Sequence, residues 1–265
     1  LYQRAQKDPK VIFLEDRSKH FSYQDWDQAS SYIQSWLTDK GFHSGSYIGI
    51  SKCSPFLLSS IMIACARAGI VLAILSERDP NNAQQMIATQ YKFDIIDLEE
   101  LTYLENDQPW IENPPQNDQP SIQEDHPLTI LFTSGSTAEP KAVLHSFSNH
   151  WASASGSFHN IPYQKGDRWL LSLSLWHIGG LAIIFRALFR GGTACTLPNG
   201  DLFQIIQSKK ITHLSLVATQ LAGILPHAPF PSLRNVLVGG GPIPPSLITK
   251  AKKQQIPVHT TYGMT

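Results

Sequence analysis

Short apolar runs alternate with segments of helical spacing along most of the chain, and this alternation limits the possible folds more than any other feature. In the second half, strand-like runs such as "RWLLSLS" and "TACTL" are separated by helix-like runs such as "LAIIFRALFR" and "LFQIIQSKK". Strands that alternate with helices of this length are typical of a parallel sheet with helices on both faces. The sequence therefore predicts an α/β protein.

Unusual loops follow several of the predicted strands. They are Thr133–Lys141, Trp176–Gly180, Gly239–Pro242 and Tyr262–Thr265. The first of them follows the strand 128–132 and precedes a helix predicted from Ser146 or Ser148. Because ligands of parallel sheets bind at the carboxyl ends of strands, we expect these loops to form the binding site.

A polar segment divides the chain. Residues 105–125, "ENDQPWIENPPQNDQPSIQED", are rich in Pro, Asn, Gln and Asp, a composition typical of an exposed connection. We therefore expect approximate halves at 1–104 and 128–265, joined by a connector over 105–127.

The longest apolar stretch, Phe56–Leu75, has the length of a membrane span. Arg67 and Gly69 favour another interpretation, a helix over Pro55–Ala68 followed by a buried strand. No membrane insertion is expected. The sequence starts at Leu1 inside a helical pattern and shows no signal-peptide pattern, so we expect it to be a piece of a longer protein.

The charge balance and the metal-ligand residues exclude several functions. Lys plus Arg and Asp plus Glu number 21 each, so no net field attracts nucleic acid. Three cysteines without CxxC spacing indicate a reducing, cytoplasmic location. His145 and His150 are five residues apart, which does not fit a helical zinc motif, and no metal ligands are predicted.

The loop "FTSGSTAEPKAV" is suited to bind phosphate. It is not a Walker A loop, because Pro140 and Ala142 replace residues which that motif requires. Its hydroxyl groups, the flexible Gly135 and the positive charge of Lys141 could still form a nest for an anion. Composition alone leaves open a solvated Ser/Thr/Gly linker.

Arg186 interrupts the apolar helix "LAIIFRALFR". A buried guanidinium is costly without an anionic partner. The partner is either an internal carboxylate or a second, unreacting carboxylate of a substrate, which the guanidinium could bind through two hydrogen bonds.

The loop "FTSGSTAEPKAV" resembles the signature loop of the adenylate-forming superfamily, which includes acyl-CoA synthetases, peptide-synthetase adenylation domains and luciferases. The stretches "LSLSLWHIGGL", "VLVGGGPIP" and "TTYGMT" resemble further motifs of this superfamily in the same order. Ala138 and Ala142 stand where the superfamily usually has glycine, and Ser46 where it usually has aspartate. The resemblance covers essentially the whole chain and implies the N-terminal core of such an enzyme, with two stacked αβα-type subdomains and mostly parallel sheets.

The resemblance also implies roles for individual residues. The implied ATP-binding residues are Thr133, Ser134, Gly135, Ser136, Thr137, Gly239, Gly240, Gly241, Pro242, Thr261, Tyr262 and Gly263. The implied substrate-binding residues are Trp176, Arg186 and Gly240, and the implied catalytic residues are His177, Lys141 and Thr265. Within these sets, Tyr262 would stack on adenine, Thr265 would contact the α-phosphate, and His177 would lie near the reacting carboxylate.

Within the superfamily, the second half looks most like the o-succinylbenzoate CoA ligases of menaquinone and phylloquinone biosynthesis. This implies ATP, Mg²⁺ and CoA as cofactor and co-substrates and a small carboxylate as substrate. Two alternatives stay open: another aryl or fatty acyl-CoA ligase, and a non-catalytic nucleotide-binding module. In the superfamily a glutamate follows Thr265 and a small C-terminal domain supplies a further lysine, so we expect this chain alone to be inactive or nearly so.

Overall fold

The computed structural model describes residues 2–17, 19–105, 122–133, 140–196 and 200–265. They form two compact units. The first unit comprises Leu1–Lys10, Phe21–Ser153 and Thr265, and the second comprises Val11–His20 and Ala154–Met264. The chain therefore enters the second unit once near its beginning and again after Ser153.

The first unit has a five-stranded sheet in the order β5-β3-β4-β6-β7. Its strands are β3 (Tyr47–Ile50), β4 (Val71–Ile74), β5 (Asp94–Ile95), β6 (Pro127–Thr133) and β7 (Lys141–Ser146). Its helices are α1 (Tyr2–Lys7), α2 (Tyr23–Asp39), α3 (Pro55–Ala68), α4 (Asn81–Tyr91) and the first part of α5 (Phe147–Ser157), with a 3-10 helix at Glu99–Glu105. Among the described strands of this sheet, β7 alone is antiparallel to its neighbour.

The second unit has a seven-stranded sheet in the order β12-β11-β10-β8-β9-β1-β2. The strands are β1 (Ile12–Asp16), β2 (Lys19–Ser22, of which the first two residues belong to this unit), β8 (Arg168–Leu171), β9 (Thr193–Thr196), β10 (His213–Leu216), β11 (Asn235–Val238) and β12 (Val258–Thr260). The helices are α6 (Ile178–Arg190), α7 (Leu202–Ser208), α8 (Ala218–Ile224) and α9 (Pro245–Lys253), with a 3-10 helix at Leu225–His227. The strands from β8 to β12 and the pair of β1 with β9 are parallel, which confirms the predicted α/β class with mostly parallel sheets.

The apolar stretch Phe56–Leu75 forms a helix and a strand, as expected. Ser54 caps α3 by accepting a hydrogen bond from the Leu57 amide at 3.1 Å, and Gly69 ends the helix with a left-handed φ of 69°. All four residues of β4 are then buried. Among the described residues, no helix combines the length and apolar character that a bilayer crossing requires.

The arrangement differs from the expected one in two respects. The units part between Ser153 and Ala154 instead of at the connector, because β6 pairs with β4 and carries β7 into the first sheet. The strand β7 was not predicted, because its six residues directly follow the loop and no run of buried apolar residues marks them; none of the six is buried. Most of the expected connector, residues 106–121, lies outside the described residues.

Candidate functional site

The second unit brings several predicted site residues to one edge of its sheet. The strands β8, β10, β11 and β12 are parallel neighbours, so their carboxyl ends meet at that edge. The pair Trp176 and His177 follows β8, Gly239–Pro242 follow β11, and Thr261–Gly263 follow β12. We call this group of strand ends and loops the carboxyl edge.

Backbone hydrogen bonds on both sides of His177 hold it at the start of α6. Its amide donates to the Ser174 carbonyl at 3.1 Å, and its carbonyl accepts from the Gly180 and Leu181 amides, both at 3.0 Å. The imidazole is exposed, and its ring centroid lies 5.9 Å from that of the half-buried Trp176. The turn therefore presents an imidazole and an indole side by side at the beginning of a helix.

Glycine is required at Gly180 and Gly239 by close backbone approach. A Cβ atom at Gly180 would lie 2.3 Å from the Ser174 carbonyl oxygen. A Cβ atom at Gly239 would lie 2.6 Å from the Thr261 Cγ2 atom. The absence of a side chain thus lets α6 pack on its own preceding turn and lets the ends of β11 and β12 touch.

Backbone hydrogen bonds join the end of β11 to the ends of β12 and β10. The Thr261 amide donates to the Val238 carbonyl at 2.9 Å, and the Gly239 amide donates to the Leu216 carbonyl at 3.1 Å. Gly240 adopts a left-handed φ of 80°, and Gly241 and Pro242 are exposed. These loops are therefore anchored at their bases while their tips stay accessible.

Tyr262 is 90% exposed, with the exposed Thr261 and Gly263 on either side of it. A phenol ring that packs against so little protein is available to stack on a planar ligand. Thr265 is half-buried and belongs to the first unit.

Gln220 is a carboxyl-edge residue that sequence reasoning missed. Its side-chain oxygen accepts from the Val217 amide at 3.0 Å, and its side-chain nitrogen donates to the Ser172 carbonyl at 3.0 Å. The amide thereby ties the loop after β8 to the start of α8. Gln220 is the third residue of α8, a position from which Gln often bonds back to the start of a helix, and this is the signal that could have identified it.

In the first unit, the predicted phosphate loop joins two paired strands. Thr133 ends β6 and lies opposite Lys141, the exposed first residue of β7. The predicted residues Ser134, Gly135, Ser136 and Thr137 lie outside the described residues, as does Ala138. Tyr91, which sequence reasoning also missed, donates a hydrogen bond to the Pro140 carbonyl at 2.8 Å and so holds the loop's second end.

Arg186 is buried in the second unit with only 8% of its surface exposed. Its Nε donates to the Ser157 hydroxyl at 3.1 Å, and its guanidinium carbon lies 4.9 Å from the centre of the Trp169 ring. Burial lowers the pKa of Arg186 to about 10, against an opposing effect of Tyr163. Within the described part of the chain, no carboxylate forms an ion pair with Arg186.

Among the residues that the structure describes, no three or more His, Cys, Asp or Glu side chains could hold a metal ion together. A magnesium ion needs few protein ligands where it is bound mainly through the phosphates of a nucleotide.

The chain is similar both in sequence and in structure to proteins named as o-succinylbenzoate CoA ligases or synthetases. The chain is 28% identical over 285 residues to the 2-succinylbenzoate--CoA ligase of a Bacillus cereus strain, a match that covers 100% of this chain and 58% of the relative. Two structures of the O-succinylbenzoate Coenzyme A Synthetase of Bacillus subtilis are also similar. The complex with ATP and magnesium ion has a TM-score of 0.84 at 25% identity, and the complex with the acyl-adenylate intermediate OSB-AMP has a TM-score of 0.83 at 26% identity.

Both structural matches cover 99% of this chain, and they cover 59% and 58% of the two solved chains, respectively. The chain therefore spans less than two thirds of the length of these relatives. The model of the AMP-binding enzyme family matches residues 1–265. The chain accordingly belongs to the family of AMP-binding enzymes.

Proposed function

We propose that the full-length protein is an ATP-dependent acid–CoA ligase that forms an acyl adenylate and then a CoA thioester, with o-succinylbenzoate as its acid. The ligase class is supported by the family and by the names of the relatives. The observation that carries the choice of acid is Arg186, a buried cation without a carboxylate partner among the described residues. An acid with a second, unreacting carboxylate would supply the missing charge.

In the first step, a carboxylate oxygen of the acid attacks the α-phosphorus of ATP and pyrophosphate leaves. Such transfers depend on positioning and on neutralising charge that develops on the phosphates. We assign the β- and γ-phosphates to Thr133, the loop 134–137 and Lys141. Magnesium would enter with ATP and neutralise part of the phosphate charge. A structure of a similar enzyme was solved with ATP and magnesium ion.

We assign the remaining groups of the first step to the strand ends. Tyr262 stacks on adenine, with the loop Gly239–Pro242 and the neighbours Thr261 and Gly263 around the nucleotide, and Thr265 contacts the α-phosphate. In the second step, the CoA thiol loses its proton, attacks the acyl carbon and displaces AMP. His177 and Trp176 border the reacting end of the acid, together with Gly240.

The test is acid-dependent ATP–pyrophosphate exchange by the full-length protein, with o-succinylbenzoate, benzoate, a medium-chain fatty acid or no acid. We expect exchange that requires o-succinylbenzoate. An Arg186→Met change should raise the KM for this acid roughly tenfold or more, because it removes hydrogen bonds to a charged group. The control is Arg190→Met in the same helix, where the guanidinium is exposed and lies over Phe158.

The other outcomes separate the alternatives. Exchange with benzoate or the fatty acid instead would keep the ligase and reject the dicarboxylate. Binding of ATP without exchange for any acid would favour the non-catalytic nucleotide-binding module.

A further inference from the structure

We infer that Ser157 is a positioning residue for acid selection, because it fixes the plane and direction of the Arg186 guanidinium. This inference rests on the proposed function, in which Arg186 binds the unreacting carboxylate of the substrate. Ser157 is the last residue of α5, and it contacts Arg186 on α6 from outside that helix. No sequence motif pointed to it.

The Ser157 hydroxyl has one defined orientation. It donates its only proton to the Ala154 carbonyl at 2.7 Å, so a lone pair is left to accept from Arg186 Nε at 3.1 Å. The backbone around it is also held, because the Ser157 carbonyl accepts from the Ile161 amide at 2.8 Å. The acceptor that meets Arg186 is therefore fixed in both position and direction.

Trp169 fixes the face of the same guanidinium. Its ring lies 4.9 Å from the guanidinium carbon, and its own position is set by a hydrogen bond to the Ser215 hydroxyl at 3.1 Å. The rings of Tyr163 and His213 pack on Trp169 at centroid distances of 5.2 and 5.0 Å. A guanidinium held at its Nε edge and on its face has lost most of its rotational freedom before any ligand binds.

This geometry determines which edge of Arg186 can bind an acid. A carboxylate can bind a guanidinium through Nε and one Nη, or through both Nη groups. Ser157 occupies Nε, so the fork formed by Nη1 and Nη2 is left for a ligand. Neither Nη atom has a hydrogen-bond partner among the described residues. Because the fork is oriented in advance, the ligand does not have to order a flexible side chain, and binding is stronger.

The experiment compares four forms of the full-length protein: wild type, Ser157→Ala, Ser157→Thr and Ser155→Ala. ATP–pyrophosphate exchange gives kcat and the separate KM values for o-succinylbenzoate and for ATP. We expect Ser157→Ala to raise the KM for o-succinylbenzoate about fivefold to twentyfold with little change in kcat. Ser157→Thr, which keeps the hydroxyl, should restore it, and Ser155→Ala in the same helix should behave as wild type. The KM for ATP should stay constant in all four.

A second measurement reports orientation without catalysis. The Nε–H signal of Arg186 in NMR spectra of the free protein should be ordered in wild type and Ser157→Thr, and should show increased motion in Ser157→Ala. An unchanged signal, or a Ser157→Ala change that raises the KM for ATP as much as the KM for o-succinylbenzoate, would overturn the inference while leaving the ligase in place. A wild type that does not use the dicarboxylate would instead reject the proposed acid, and the role of Ser157 would be rejected with it.

Discussion

Gly180 has backbone atoms where a side chain would begin. The Ser174 carbonyl oxygen lies 2.3 Å, and the Leu173 carbonyl oxygen 2.7 Å, from the position of a Cβ atom. Backbone atoms cannot move aside as the end of a flexible side chain can. Gly180 therefore determines how closely the first turn of α6 approaches the turn that carries Trp176 and His177.

We expect Gly180→Ala to lower the free energy of unfolding by about 2 kcal/mol, as overpacking commonly does. Urea denaturation of the chain would measure it. The matched control is Gly156→Ala in α5, where a Cβ atom meets nothing within 4 Å. That change should be neutral or raise the free energy of unfolding by up to about 1 kcal/mol, because alanine has a higher helix propensity than glycine. Equal effects at the two glycines would contradict the role of Gly180.

At the scale of elements, a buried histidine joins α5 to the first sheet. His150 is 3% exposed, and its Nε2 lies 2.8 Å from the Thr129 hydroxyl on β6. Burial, with charge repulsion from His145 as a second cause, lowers the pKa of His150 to about 3. Burial also lowers the pKa of His145, whose ring centroid is 5.3 Å away. The imidazole of His150 is therefore neutral in the folded protein near neutral pH.

Acid should destabilise the protein through His150. In the unfolded chain the imidazole titrates near 6.5, so between that pH and about 3 the unfolded state binds more protons than the folded state. The free energy of unfolding then falls as the pH falls below 6.5. Through His150 alone we expect a loss of about 2 kcal/mol between pH 7.5 and pH 5.0.

The measurement is urea denaturation at pH 7.5 and pH 5.0 for wild type, His150→Gln and His159→Gln. His150→Gln should lose less stability on acidification than wild type, whereas His159→Gln, at an exposed position, should match wild type. If His150→Gln showed the same pH dependence as wild type, another group would be responsible.

At the scale of the whole molecule, a strand from the beginning of the chain completes the second unit. Strand β1 pairs with β9. Its Glu15 accepts a hydrogen bond from Arg168, the first residue of β8, and another at 2.7 Å from Lys209 at the end of α7. Burial opposes the charge of Glu15, but the hydrogen bonds from Lys209 and Arg168 outweigh it and lower the pKa. The Glu15 carboxylate thus bonds to two residues, each of which lies more than 150 positions further along the chain.

We expect Glu15→Gln to destabilise the protein by about 2 kcal/mol. The change leaves two partly buried cations without their anion, and their partial exposure reduces the loss from the roughly 3–5 kcal/mol of a fully buried pair. Thermal unfolding would measure this loss. Glu100→Gln, which removes an exposed pair with Lys40, should change little. A Glu15→Gln protein as stable as wild type would mean that solvent already screens the network.

Local signals were sufficient where neighbours in sequence are also neighbours in space. Gly69 predicted the end of α3, and it adopts the left-handed conformation that glycine favours. The sequence also placed the loops after β8, β11 and β12 at strand ends, because the end of a strand is a local feature, and their role as a binding site stays a prediction. The roles assigned to the loop 134–137 stay predictions, since those residues lie outside the described part of the chain.

The sequence by itself determined the α/β class, most helices and strands, and the loops that form the carboxyl edge, because periodicity and glycine caps depend on residues a few positions apart. Only the tertiary structure decided that β1 pairs with β9, that Gln220 links two loops, and that Ser157 holds Arg186. The physical reason is that these contacts join distant residues. Their energies depend on packing and hydrogen-bond geometry, which no pattern of neighbouring residues records.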